Sequence, residues 1–129
     1  MHVETKLTLI GAGSVLLLDT IFSLASVYLH LPYVWCFPAT CAVYFWASYR
    51  AAKHLDLRSI LAFGAFLGLV DATIGWRLSD WLGPDPNHRL QTITFSTWCM
   101  TAVFVMAFGA VVALAAFFTA SWRNRRESR

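Results

Sequence analysis

Asp19 and Asp71 are the residues most able to do chemistry, because each interrupts an otherwise apolar run. Asp19 stands in LIGAGSVLLLDTIFSL and Asp71 in LAFGAFLGLVDATIGW. Each acid lies about twelve residues into its run, roughly 18 Å deep at helical rise. An acid at such a depth in a bilayer costs about 2.5–3.5 kcal/mol on insertion scales, so it needs a partner or a wet cavity. The chemistry on offer is handling a proton, a cation or a polar head group. The plainer alternative is two protonated acids bonded to hydroxyls as packing glue. Arg77 is the third candidate. Its planar fork suits phosphate, and Asp80, three residues on, is close enough along a helix to pair with it. Asp71 lies six residues back from Arg77, about 9 Å along a helix axis, within reach through water or a ligand.

Helical spacing sets the direction of each acid. Asp71 shares a face with Gly64, Gly68 and Gly75, and Gly64-x-x-x-Gly68 is a close-packing pattern. Asp19 shares a face with Ala12, Ser23 and Ser26. Both acids are therefore expected to point at other helices and not at lipid. The stretch QTITFSTWCMT supplies Gln91, Thr92, Thr94, Ser96, Thr97 and Thr101 as a possible polar lining, although hydroxyls also bond back to their own helix.

The elements that must position these residues are hydrophobic. The 129-residue chain is 58% hydrophobic and only 13% charged, with a mean hydropathy of +0.58. A soluble domain carries about 25% charged residues, and a fold of this size leaves much of its surface exposed. Lipid is the solvent that accommodates such a composition. The pattern predicts a single all-α membrane domain over residues 1–129, with four transmembrane helices near 7–29, 33–49, 59–82 and 91–122. Pro32, Arg50 to Arg58, and Gly83-Pro84-Asp85-Pro86-Asn87 mark the breaks. The first run is too long, and its leader MHVETK too weakly basic, for a cleaved signal, so that helix is expected to be retained.

Basic residues give the expected orientation. Lys6, Arg50, Lys53, Arg58, Arg123, Arg125, Arg126 and Arg129 fall on one side of the four-span arrangement; Arg77 and Arg89 fall on the other. This asymmetry puts both termini in the cytoplasm, with the chain in the cell (inner) membrane. The net charge of +3 therefore reads as topology and lipid contact and not as nucleic-acid binding. Aligning Asp19 on Asp71 also brings Leu17 onto Leu69 and Leu9 onto Leu61. Trp35-Cys36 and Trp98-Cys99 recur in the second and fourth runs. Together these suggest two parallel helical hairpins as an internal repeat.

Cys36, Cys41 and Cys99 have no metal or redox spacing and read as small buried hydrophobes. The four histidines are too scattered for paired ligation, and no phosphate loop, nucleophile elbow or HExxH motif occurs. No cofactor, metal or enzymatic activity is expected.

The spacing Gly11, seven residues, then Asp19-x-x-Phe22, with the similar GAFLGLVDATIGW, resembles the GtrA-like family of small four-helix membrane proteins. After the second helix the chain departs from that family, with FWASYRAAKHL keeping only Arg50 in a comparable place. The resemblance implies translocation or presentation of a polyprenyl-phosphate-linked sugar for envelope glycosylation. Asp19 and Asp71 would then form the central site, and Arg77 would meet phosphate. Two other functions fit the residues: a non-catalytic accessory subunit of a larger membrane complex, and a compact proton-coupled transporter. Partners accordingly include membrane lipid and either further copies of the chain or a larger assembly.

Overall fold

A computed structural model describes residues 3–32, 35–82 and 94–127. The regular elements are all helical: α1 (Val3–Leu29), α2 (Cys36–Ala51), α3 (Leu57–Val70), a π-helical turn (Asp71–Gly75), α4 (Trp76–Leu82) and α5 (Phe95–Glu127). α3, the π turn and α4 follow one another without a gap, so the described residues form four rods. Among the described residues, three stretches are long and apolar enough to cross a membrane: Glu4–Leu29, Leu57–Leu78 and Phe95–Glu127. α2 has 16 residues and spans about 24 Å, less than the ~30 Å of a hydrocarbon core. α5, with 33 residues, is about 50 Å long and outreaches that core.

The rods begin and end for local reasons. α1 stops at His30, whose φ of 52° is left-handed, a conformation that closes helices but is unusual for histidine. Pro32 stands in the break between the first two rods, as its sequence position suggested. Its carbonyl accepts the Trp35 N–H at 3.1 Å, and α2 starts at Cys36. Pro38 falls in the first turn of α2, where its missing N–H removes no helical bond. Asp56 caps α3 by accepting the Ser59 N–H at 3.2 Å.

α3 and α5 run antiparallel at backbone contact. A Cβ on Gly64 would collide with the Gly109 carbonyl, and one on Gly68 with the Val105 carbonyl. α5 offers small residues along that seam, with Ala102, Gly109, Ala113, Ala116 and Ala120 all buried. In lipid, where apolar burial gives no drive to associate, such close approach supplies dispersion contacts between helices. α1 runs parallel to α3 and antiparallel to α2. Gly11 faces Phe63 and Leu67 of α3 and Ala47 of α2, and eight residues on Asp19 faces Gly75 and Cys36. Tyr44, Ile60, Leu67 and Val15 fill the centre. Large apolar side chains such as Leu17, Phe104 and Val111 face outward, as lipid-facing positions would.

Candidate functional site

The two acids picked from sequence meet. Asp19 comes from α1 and is 2% exposed; Asp71 opens the π turn and is half-buried. Gly75 allows the approach. A Cβ there would fall on Asp19 Oδ2 and within 3.2 Å of Asp71 Oδ1. Asp19 Oδ2 is buried and receives no bond from an amide, hydroxyl or thiol. Across the space left by Gly75 it faces the Asp71 carboxyl. Two carboxylates placed this close repel each other unless a proton or a cation sits with them, so the geometry is suited to binding positive charge.

The π turn bears on this meeting. The Trp76 N–H reaches back five residues to the Asp71 carbonyl, in place of the usual four. The extra residue turns the following segment about its axis, and such single π turns often occur at functional sites. Thr73 supports the distorted stretch by bonding the Leu69 carbonyl at 2.6 Å.

α2 completes the site with residues that sequence reasoning did not select. Tyr44, 1% exposed, donates its hydroxyl to Asp71 Oδ2 at 2.7 Å. Cys36 is 5% exposed and lies with its thiol 3.9 Å from Asp19 Oδ1. Its sulfur also sits 3.5 Å from Thr40 Oγ1. Cys36 is thus a buried small residue, as expected, but one that touches an acid. The signal was present: Cys36, Thr40, Tyr44 and Ser48 recur every fourth residue and form one polar stripe on an otherwise apolar helix, and all four are buried. The result is a connected set, Cys36–Asp19–Asp71–Tyr44, drawn from three rods.

Arg77 does not join it. Its side chain is exposed, and among the described residues no hydrogen bond or ion pair ties it to either acid. The expected Arg77–Asp80 pairing falls on a side chain outside the described residues, as do Gln91 and Thr92. Farther along that polar stretch, Thr94 and Thr97 pair their hydroxyls at 2.9 Å on an exposed surface. Thr101 bonds back to the Thr97 carbonyl at 3.0 Å.

Asp71 also forms part of the wall of a cleft of about 170 Å³, together with Ala72, Trp76, Thr101 and Val105. Among the described residues, no group of three or more His, Cys, Asp or Glu side chains is placed to hold a metal ion. What the site can do is hold and exchange protons, and present one carboxyl to a small ligand. Among the described residues, neither the pair nor the cleft wall carries a basic group that would suit phosphate.

Fold and site together define an all-helical bundle with three helices able to cross a membrane and an acid pair between its rods. Compared with protein-family models, curated proteins and solved structures, the chain matches none.

Proposed function

We propose that the protein is a compact proton-coupled transporter of the cell (inner) membrane, with Asp19 and Asp71 as its proton carrier. The observation that carries this reading is the direct facing of the two carboxyls inside the bundle. One proton bridges the pair, and a second is taken up or released as solute moves. Intramembrane acids are expensive and mark proton or ion pathways more often than they serve as packing.

Four crossing helices with cytoplasmic termini fit this role. α2 packs antiparallel to α1 from the Ala47–Gly11 level to the Cys36–Asp19 level, which supports its crossing as well. The basic residues support the orientation. Arg50 sits 5.9 Å from the Trp46 ring, Lys53 5.7 Å from Tyr49 and Arg126 3.7 Å from Trp122, pairing cation and aromatic as at a membrane interface. Because four helices enclose little of a pathway, the working unit is a homo-oligomer.

The test uses sealed vesicles bearing the protein and a trapped pH probe. Pools of small cations, sugars and anions are added in turn. At least one pool is expected to drive proton movement, and Asp71→Asn to stop it. Silence with every pool would remove the transport reading.

A lipid-linked sugar is the second reading, and the exposure of Arg77 favours it. An exposed guanidinium next in sequence to Trp76, near the outer end of its rod, would meet a polyprenyl phosphate while the cleft receives the sugar. That would accord with the GtrA-like resemblance. Native mass spectrometry of gently extracted protein separates the alternatives. A homo-oligomer carrying polyprenyl phosphate or its glycosylated form supports this reading, and Arg77→Ala and Asp71→Asn should then abolish glycosylation. A fixed-ratio complex with larger subunits would instead make the chain an accessory subunit.

A further inference from the structure

The cleft beside the acid pair has a wall chemistry of its own. It carries one carboxyl (Asp71), one indole (Trp76), one hydroxyl (Thr101) and the apolar Ala72 and Val105. Among the described residues, no basic side chain lines it. An acid beside an aromatic face in a low-dielectric setting attracts a positive charge by two routes, direct Coulomb attraction and the ring quadrupole. Its volume of about 170 Å³ is close to the ~150 Å³ of a cavity that admits benzene, so a ligand of about six heavy atoms fits.

We infer that this cleft binds a small organic monovalent cation, a protonated amine or a quaternary ammonium, against Asp71 and Trp76. The inference rests on the reading that the Asp19–Asp71 pair exchanges protons, and it names the solute class. The exchange balances. With two protons the pair is neutral; with one it carries a single negative charge, which the bound cation neutralises. One cation therefore enters for each proton that leaves to solvent, and no bond other than O–H breaks. Among the described residues, the other titratable groups in contact with the pair are Cys36 and Tyr44 on α2, both uncharged donors to it. Arg77 on α4 is exposed.

The experiment uses the full chain in zwitterionic-lipid nanodiscs, with tetramethylammonium as probe and glucose and inorganic phosphate as comparisons. Binding is read by calorimetry, and protonation of the pair by the infrared carboxyl band across a pH series. Tetramethylammonium is expected to bind, and acidification to weaken it by up to about tenfold per pH unit, the limit for one competing proton. Asp71→Asn should remove binding. Trp76→Leu should weaken it by about two- to thirtyfold, the range for a cation–π contact. Val105→Phe, which fills the cleft from α5 and keeps both acids, should abolish binding while leaving a titrating carboxyl band in place. Absence of tetramethylammonium binding beside a titrating carboxyl band would overturn the cation site and leave the proton reading standing. If the band does not titrate either, both fall. Binding of glucose or phosphate in place of tetramethylammonium would overturn the cation assignment in favour of that ligand.

Discussion

Tyr44 on α2 holds Asp71 at the start of the π turn, its hydroxyl 2.7 Å from Oδ2. The same hydroxyl lies 3.4 Å from the Leu67 carbonyl, so one buried phenol spans the last turn of α3 and the acid that follows it. Tyr44→Phe keeps the ring and removes the donor. Interhelical hydrogen bonds in membranes contribute about 0.6 kcal/mol on average and up to about 1.7. Unfolding in mixed micelles should show a loss in that range. The infrared carboxyl band should also shift, since Asp71 loses a partner. An unchanged band would mean that the phenol does not bond the acid.

Gly75 is the residue on which the acid pair depends for room. Gly75→Ala would place a methyl on Asp19 Oδ2, and the acids must separate or the rods move. A stability loss of about 1–3 kcal/mol is expected, as for overpacking, together with loss of the shared-proton signature. A variant of unchanged stability and spectrum would show that the two acids are not in contact.

Gly64 and Gly13 make a contrasting pair on different rods. A Cβ at Gly64 meets the Gly109 backbone, whereas one at Gly13 meets nothing within 4 Å. Gly64→Ala should therefore pry α3 from α5 and lower the unfolding midpoint sharply. Gly13→Ala should stabilise α1 by about 0.5–1 kcal/mol, the helical cost of glycine relative to alanine. Equal effects from the two substitutions would contradict the α3–α5 seam.

Asp56 supplies a pH dependence outside the bundle. Hydrogen bonds from the Ser59 side chain and backbone N–H hold its carboxyl below the ordinary value of 3.8. A depressed acid stabilises the fold fully above its unfolded value, and the benefit fades as pH falls through the lower, folded value. Asp56→Ala should thus be less stable than the native chain near neutral pH, and the gap should close in strong acid. Asp56→Asn, which can still cap, should lose less. A gap that persists in strong acid would show that the cap does not depend on charge.

The sequence alone determined that this is a chain of apolar helices, because composition and run length are enough to specify lipid as a compatible solvent. It also marked Asp19 and Asp71, since a charge inside an apolar run is visible without any fold, and equal depth follows from counting residues. That both point at helices and not lipid was legible from glycine and serine spacing. Where α2 begins was less legible, because Pro32 can either open a helix or precede one, and the backbone settles at Cys36.

Only the tertiary structure decided that the acids touch. Contact depends on which helices pack and how each is rotated, and the π turn at Asp71 alters that rotation by one residue in a way no periodicity encodes. The same packing brought Tyr44 and Cys36 to the pair and left Arg77 on the outside. The helices, in short, are written in local hydrophobicity, but the site is made by three rods meeting around Gly75, where the absence of a side chain lets two carboxyls share a space.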